Sequence, residues 1–514
     1  MTCFAQSKKT AQIELLHADF ADFDQAINSE VQRLTGHVSF KHENAFMYCD
    51  SAYLNKVKNS LEAFAHVRIT KGDSFTLTGK RLLYGGNTEL AEVFDDVVMT
   101  DRKMTLNTSR LNYDMKRDVA SYTDSAHIVD SENTLTSTFG YYYSKSHDLY
   151  FRNKVVLTNP HYVMTCDTLR YNTISKTSFF LGPTFIHAKN NIIYCENGWY
   201  NTEKQTSAFF RNAFLKTNTQ TLKGDTIYYD RNKGIGKGFG NVSVNDSVNQ
   251  VIINGDFAVH YELTDSSLVT GRAMMTQIFD NDSLFLHGDT LMAVADQNTI
   301  NADSGTTGKR NLFAFRHVKL FKSDFQGACD SLAYNYSDST IRLFRNPVLW
   351  SGLNQLTADS ITIQIANSNI TTMYLVNSAF ITSQSDSAQQ GPVDSLRYNQ
   401  IRGKNMTGYF IENKLFKILV EGNGQTIYYT KSKSKKDFGV NRADCSDLII
   451  SINENEIEKI ILLNQPDGTL YPIRELSVKE LRLKGFIWKG DQRPEKKEDI
   501  FRKQDLSSEL RIKN

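Results

Sequence analysis

Apolar and polar side chains alternate in two short segments that recur along the chain at a fixed spacing. The first segment reads LTGKRLLY from Leu77, and its next copy, LNTSRLNY, begins at Leu106. Successive copies follow at equal steps and begin at Leu77, Leu106, Leu135, Met164, Ile193 and Leu222. Within most copies the final apolar or aromatic residues are two positions apart, which is typical of a strand with one buried face.

The second segment lies about halfway between copies of the first and keeps the same spacing. It reads LEAFAHVRIT at 61–70 and AEVFDDVVMT at 91–100, and turn-forming residues separate it from the first segment. One position of the second segment recurs in every copy. It is held by Val67, Val97, Ala126, Val155, Thr184, Ala213 and Val242, and the spacing between consecutive members is equal from Val97 onward. The repeat is therefore predicted to be strand, turn, strand, turn, with no room for a helix.

A repeat of two strands cannot bury its apolar face alone. The sequence therefore predicts an all-β fold, a solenoid-like stack of 29-residue two-strand repeats with the apolar positions turned inward. Pro183 stands just before the shared slot of its repeat, where other repeats carry Asp96, Lys154 or Asn212. Because proline has no N–H to donate to a strand ladder, this position is predicted to be a bulge or a corner.

The repeats are interrupted at a Gly-, Ser- and Thr-rich stretch, NADSGTTGKRN at 301–311. We therefore predict one array at 12–300 and a second, looser array at 312–440. Residues 1–11 are predicted to be a disordered N-terminus or a signal-peptide remnant, because TCFAQ followed by SKK resembles the end of a signal peptide whose start lies upstream. The alternative is a cytoplasmic protein that begins this way.

The last segment, 441–514, departs from the repeat. Its sequence predicts a β-hairpin at 446–463 and a short helical turn at 477–483. From Asp491 onward the chain is dense in charges of both signs, and a mobile tail is predicted there.

Composition favours strands and excludes one class of partner. The 514 residues include 24 tyrosines and 31 phenylalanines, and such residues are enriched in strands. The formal net charge of +2, from 59 basic and 57 acidic side chains, gives no basis for binding nucleic acid. No apolar run approaches the roughly 18 residues that a helical membrane span needs.

The sequence contains no pattern of catalytic or cofactor-binding residues. GIGKGFG at 234–240 lacks the third glycine of a dinucleotide-binding loop. Acidic residues recur at Asp50, Asp167, Asp225, Asp289, Asp330, Asp359 and Asp394. A column of such carboxylates would bind Ca²⁺, but Lys80, Ser109 and Thr138 interrupt it, which favours solvated strand-start positions. The same interruptions argue against a carbohydrate-active β-helix enzyme, and the chain is predicted to be non-enzymatic, with no cofactor and no metal.

Cys166 and Cys195 hold the same slot in consecutive repeats. If their strands are direct neighbours, their Cα atoms lie about 5 Å apart, within the range that a disulfide tolerates. A disulfide is one interpretation of this pair, and two small buried thiols are the alternative that the sequence favours.

The two periodic segments, of the forms LxGDxLxY and (A/F)xFxxNVxLT, resemble the OstA-like family. The best matches lie at 49–84 and 222–244, and IELLHAD at 13–19 is similar to the opening strand of the family. The resemblance covers 12–300 well and 312–440 loosely. YPIRE at 471–475 and GFIWKGDQRP at 485–494 resemble the long Bacteroidetes-type members. The family includes the periplasmic bridge protein of lipopolysaccharide transport and the periplasmic domain of the outer-membrane lipopolysaccharide assembly protein.

The resemblance implies an elongated, open β-jelly-roll whose inner groove shields the acyl chains of lipid A. It implies a periplasmic location, with or without association with the outer membrane. The implied partners are lipopolysaccharide and either other lipopolysaccharide-transport proteins or a second copy, joined by edge-strand pairing.

The apolar positions of the two segments are the candidates for lining such a groove. They are Val67, Ile69, Leu82, Val97, Met99, Leu111, Val155, Leu157, Leu169 and Ile227. For each of them the alternative is ordinary core packing. The rival function is accordingly a closed β-helical repeat scaffold, a structural or surface-interaction protein without lipid binding.

Overall fold

The computed structural model describes residues 11–502 with several gaps. The gaps are 24–29, 102–103, 219, 248–249, 280–281, 296–309, 336, 367–368, 386–396, 432–436, 454–455 and 473–474. Within this part of the chain nearly all regular structure is antiparallel β-strand, and the helical segments are short 3₁₀ turns. No helical segment described has the length and hydrophobicity of a membrane span. The predicted all-β class is confirmed, whereas the predicted N-terminal remnant at 1–11 lies almost wholly outside the described residues.

The chain divides into two compact units, Met1–Asn218 with Lys223–Lys233, and Thr219–Leu222 with Gly234–Asn514. The strands of the first unit are β1 (Glu14–His17), β2 (Phe20–Phe23), β3 (Val31–His42), β4 (Ala45–Asn55), β5 (Ser60–Lys71), β6 (Phe75–Gly85), β7 (Leu90–Asp101), β8 (Met104–Asp114), β9 (Val119–Tyr122), β10 (Ala126–Val129), β11 (Thr134–Ser137), β12 (Phe139–Tyr143), β13 (Asp148–Asn159), β14 (Tyr162–Asn172), β15 (Thr177–Ala188), β16 (Asn191–Asn201) and β17 (Thr206–Thr217). β18 (Gln220–Asp230) contains residues of both units.

The strands of the second unit follow the same antiparallel pattern. They are β19 (Ile235–Asp246), β20 (Val251–Tyr261), β21 (Ser266–Thr270), β22 (Met274–Ile278), β23 (Ser283–His287), β24 (Thr290–Ala295), β25 (Arg310–Lys322), β26 (Phe325–Asn335), β27 (Thr340–Phe344), β28 (Val348–Ser351), β29 (Asn354–Thr357), β30 (Ser360–Ala366), β31 (Asn369–Gln384), β32 (Tyr398–Ile411), β33 (Lys414–Lys431), β34 (Asp437–Asn453), β35 (Glu456–Leu463) and β36 (Asp467–Tyr471). The 3₁₀ turns are Glu262–Thr264, Gly490–Gln492 and Lys497–Phe501.

Most copies of the recurring sequence segments form one long strand each, so the predicted repeat of two strands is confirmed, whereas the copies between Val119 and Tyr143 are divided into β9 with β10 and β11 with β12. The first segment is β6 and the second is β7, and β6 pairs with β5 and β7 on either side. Near the middle of the two strands the pairing of β5 with β6 shifts register, between Phe64 and Val67 of β5. Ala65 and His66 have positive φ there, and Gly182 has φ +83° directly before Pro183. The predicted corner at Pro183 is therefore confirmed.

The corner explains why the first segment needs a small residue near its start. Gly79 lies at the corner of β6, and a Cβ atom there would lie 2.4 Å from Cγ1 of Val93. Cys166 and Cys195 hold the same slot in later repeats and are buried. Small side chains at this slot let the two halves of each strand approach on the inner side.

The two halves of the long strands belong to two half-sheets. In β8, Thr105–Thr108 pair with β10, whereas Asn112–Asp114 pair with β9. β10 continues through β11 to one half of β13, and β9 continues through β12 to the other half. We call the half-sheet that contains β10 and β11 the first half-sheet, and the one that contains β9 and β12 the second.

Turns at the end of the second half-sheet are bonded to one another. The Thr173 N–H donates to the carbonyl of His147 at 3.0 Å, and the Thr202 N–H donates to the carbonyl of Lys176 at 2.9 Å. The acceptor residues Glu89, Asp118, His147, Lys176 and Gln205 have positive φ. Consecutive acceptors are one repeat apart from Glu89 to Gln205, so the turns form a continuous stack that keeps the period of the sequence.

Cys166 and Cys195 are not on neighbouring strands, which corrects the premise of a disulfide between them. β14 and β16 both pair with β15, which lies between them. Two strand spacings amount to about 10 Å, whereas a disulfide needs Cα atoms within roughly 7 Å. Both thiols are buried and free, and burial raises the pKa of each to about 12.

The predicted interruption at 301–311 lies largely outside the described residues. The strands on either side of it, β24 and β25, pair directly from Thr290 to Ala295 and lie in the same compact unit. The predicted hairpin at 446–463 is confirmed, because β34 and β35 pair from Asp447 to Leu463.

The predicted mobile tail is wrong for residues 491–502, and 503–514 lie outside the described residues. Residues 476–502, which we call the strap, cross the outer face of the second unit's sheet. The buried side chains of Gln400, Gln355 and Gln326 hold it by hydrogen bonds to Leu483, Lys489 and Arg493. Phe501 packs on His287 at a ring distance of 4.8 Å. These contacts span four strands and fix the strap in place.

Candidate functional site

An unbroken row of apolar side chains faces the inside of the first half-sheet. Each member lies directly opposite the next member on the neighbouring strand. The row is Phe40, Met47, Ile69, Leu77, Met99, Leu106, Ile128, Leu135, Leu157, Met164, Ile186, Ile193 and Leu215. We call it the inner row. It contains three predicted groove residues, Ile69, Met99 and Leu157.

Solvent reaches the inner row only toward its C-terminal end. Ile69 and Met99 are 0% exposed, and Leu106 is 2% exposed. Leu157 and Ile186 are partly exposed, as are Ile193 and Leu215 further along, although Met164 among them is buried. Ile128 and Leu135 are 6% and 5% exposed, so the row is a closed core from β3 to β11 and becomes an accessible apolar surface from β13 to β17.

The other predicted groove residues are buried at 4% exposure or less. Val67, Val97 and Val155 lie beside the corner of their strands, and Leu82, Leu111, Leu169 and Ile227 lie in the other half of theirs. Their contact with lipid stays a prediction. Sequence reasoning missed Ile186, Ile193 and Leu215. The period could have found two of them, because Ile186 and Leu215 lie one repeat and two repeats after Leu157.

The second half-sheet presents a row of tyrosines at its inner rim. The row has one member per repeat and consists of Tyr84, Tyr113, Tyr142, Tyr171 and Tyr200. The first three are 2%, 3% and 9% exposed, and the last two are partly exposed. We call the gap between this rim and the facing rim of the first half-sheet the mouth. The tyrosines become accessible in step with the inner row.

The first bridge across the mouth joins His42 of β3 to Tyr84 of β6. The His42 ring donates from Nε2 to the carbonyl of Ala11 at 3.0 Å, which leaves Nδ1 as an acceptor. The Tyr84 hydroxyl donates to that Nδ1 at 2.6 Å. Burial raises the pKa of Tyr84, with Glu89 and Glu43 adding to the shift, so the hydroxyl keeps its proton.

Two further bridges lie beyond it. The Tyr142 hydroxyl donates to Asp101 at 2.5 Å, and the Lys71 ammonium forms an ion pair with Asp118 and donates to the carbonyl of Met115 at 3.0 Å. Burial alone would raise the pKa of Asp118, but the hydrogen bond and charge of Lys71, with hydrogen bonds from Lys145 and Tyr113, outweigh it and lower that pKa. The carboxylate is therefore ionised at neutral pH.

The tyrosine row changes partners where the inner row becomes accessible. The Tyr200 hydroxyl donates to Gln205, a little further along its own half-sheet, at 2.9 Å. Burial raises the pKa of Tyr171, to which Asp130 and Glu132 also contribute. Burial also raises the pKa of Tyr162, the first residue of β14, and the nearby Tyr200 and Tyr171 add to that shift. At this end of the row the rims therefore approach each other through phenol rings, and the polar bridges described above lie between β3 and β12.

The recurring acids lie at the outer side of the corners. Asp50 accepts a hydrogen bond from His66 at 2.7 Å, and Asp289 accepts one from His317 at 2.8 Å. No group of three or more metal-binding side chains occurs among the described residues. Asp394 lies outside the described residues.

Residues 10–167 match the family model of OstA-like proteins. This part of the chain is similar to OstA-like proteins, and we call it the OstA-like segment. The OstA-like segment contains all three bridges of the mouth and ends in β14, just before Ile186 in the accessible part of the inner row. No curated protein is significantly similar in sequence to this chain.

A solved structure is similar to a smaller part of the chain. It is LptH of Pseudomonas aeruginosa, described as the LptA-homologous periplasmic component of the conserved lipopolysaccharide transport device. The alignment has 16% identity and covers 21% of this chain and 82% of LptH, with a TM-score of 0.20. That score is too low for the likeness to support an argument about the present chain.

Proposed function

We propose that this chain is a non-enzymatic, periplasmic module that binds lipopolysaccharide and passes it toward the outer membrane. The acyl chains of lipid A lie between the two half-sheets of the first unit. The observation that supports this proposal is the inner row, which is apolar at every position and begins inside the OstA-like segment.

Burial of acyl chains against such a row has a clear driving force. Each CH₂ group removed from water contributes about 0.8 kcal/mol, and the row offers no polar side chain that would have to lose its water. From Leu157 to Leu215 the accessible part crosses four strand spacings, about 19 Å. That length suits an extended long-chain acyl group.

The partners in this proposal meet the module at its edge strands. Among the described strands, β1 and β2 pair only with β3, so each presents a second edge of backbone donors and acceptors. Such edges accept a further strand from another chain. We propose that a lipopolysaccharide-transport protein or a second copy adds a strand there.

Site-specific photo-crosslinking tests the lipid proposal. A photoreactive residue at Ile186 should capture lipopolysaccharide in cells that make it, because Ile186 faces the interior. The same residue at Phe185 is the matched control, because Phe185 is 39% exposed and lies on the opposite face of β15. Equal labelling at both positions, or no lipid at Ile186, would contradict the proposal.

A closed repeat scaffold without lipid is the second candidate. The complete burial of Ile69, Leu77 and Met99 favours it, since this part of the interior is filled by the protein itself. Mass spectrometry of the natively purified protein separates the two candidates. The scaffold predicts no bound lipid, whereas the transport module predicts co-purified lipopolysaccharide.

A further inference from the structure

The three bridges of the mouth lie in one part of the first unit, between β3 and β12. The bridges are His42–Tyr84, Lys71–Asp118 and Asp101–Tyr142, and we call them the latches. Resting on the proposed function, we infer that the latches close the interior to acyl chains between β3 and β11 and must open before a chain moves in from β13–β17.

The position of the latches supports this inference. His42, Lys71 and Asp101 are the last residues of β3, β5 and β7, at the rim of the first half-sheet. Their partners belong to the rim and turns of the second half-sheet, so each latch ties the two rims together. The stacked rings of Phe75 and Tyr113, 4.7 Å apart, fill the gap between latches.

The exposure of the inner row changes where the latches end. Leu77 and Met99, behind the latches, are 0% exposed. Leu157 and Leu215, beyond them, are partly exposed although they hold the same place in the row. The side chains on both sides are of similar size and polarity. The closure of the mouth, rather than the chemistry of the row, accordingly sets which part an acyl chain reaches.

The latches are suited to opening because they are made at the rim. Each is made by side chains at the rims, and the strand pairing on either side is made by backbone groups. An opened latch would expose the inner row first to water and then to the arriving acyl chain, which would displace that water. Opening therefore costs polar contacts and is offset by apolar burial.

Photolabelling of the full chain with added rough-type lipopolysaccharide tests the latches. An aliphatic diazirine residue is placed at Met99, behind the latches, or at Leu215, beyond them. In the otherwise unaltered protein we expect labelling at Leu215 and little at Met99. Tyr142→Phe removes one latch hydroxyl and should raise labelling at Met99 about fivefold. Adding Tyr84→Phe should raise it further, with labelling at Leu215 unchanged.

Tyr171→Phe is the matched control, because it removes a hydroxyl from the same row outside the latches. It should leave labelling at Met99 unchanged. Equal labelling at Met99 and Leu215 in the unaltered protein would overturn the inference while leaving the proposed function standing. Labelling confined to Leu215 in every Tyr142→Phe variant would do the same. Absence of labelling at both positions would instead overturn the proposed function, and the inference with it. Tyr142→Phe preserves the ring and its packing. If the double variant fails to fold, labelling at Met99 in the single Tyr142→Phe variant tests the inference.

Discussion

The strap is held by buried glutamines, and Gln355 gives the sharpest test of that arrangement. Gln355 is 1% exposed. Its side-chain amide donates to the carbonyl of Ile487 at 2.7 Å and accepts from the Lys489 N–H at 2.7 Å. The Trp350 indole N–H donates to the same oxygen at 3.3 Å. Gln355→Leu keeps a similar volume but leaves these three polar groups without their partner.

The expected cost follows from the number of groups that lose a partner. A buried polar group left unpaired costs about 1–3 kcal/mol. Detachment of the strap lets water reach all three groups and so removes this cost. We therefore expect the strap to detach more often, with a loss of local stability of about 3 kcal/mol and amide exchange faster by about two orders of magnitude.

Hydrogen exchange measured on peptides that cover 481–489 checks this expectation. Gln364→Leu is the matched control, because Gln364 is an exposed residue on β30 of the same unit. The control should leave exchange in the strap unchanged. Exchange in Gln355→Leu that equals the control would refute the reasoning, since it would mean that the glutamine does not hold the strap.

Three further predictions concern the corner, the thiols and the strap. Gly79→Ala should lower the free energy of unfolding by about 1–3 kcal/mol, because the new Cβ would lie 2.4 Å from Cγ1 of Val93; urea unfolding measures this, and added Val93→Ala should recover part of it. Non-reducing mass spectrometry should find Cys166 and Cys195 as separate thiols, and a crosslinked peptide would contradict the strand order. Burial lowers the pKa of His287, so stability from its neutral ring is complete above about pH 6.5 and is lost as pH falls through the lowered pKa. Exchange in the strap should accelerate on acidification, and His287→Gln should remove that dependence.

The period of the sequence determined much of the fold. Strict spacing of the two segments predicted two strands per repeat, and Pro183 located the corner. The order of the strands was harder to predict, because equivalent segments such as those of Cys166 and Cys195 are separated by a strand of the other kind. Periodicity alone reports that positions are equivalent. It does not report which of them are neighbours.

The sequence predicted that the candidate site is apolar, but it did not predict which of the apolar positions are accessible. Leu157 was named with Ile69 and Met99 because all three share an apolar slot, yet only Leu157 is accessible. The difference arises from rim residues such as Tyr142 and Asp101, which meet across 41 positions of sequence. The strap was missed for a similar reason, since its charged sequence resembles a mobile tail and its partners are distant glutamines.

The stacked turns have a consequence for how this protein can vary. Each turn from Glu89 to Gln205 bonds to the turn one repeat away. A single residue gained or lost inside a repeat has to be accommodated within its turn, as in the repeat from Asn59 to Glu89, which is one residue longer and whose Gly86 N–H donates to the carbonyl of Asn59 at 2.8 Å. Whole repeats are exempt, because they bring a complete turn with them. The interior should therefore change length across evolution in discrete increments of two strands, about 10 Å each, and lipids of different reach would be matched by the number of repeats.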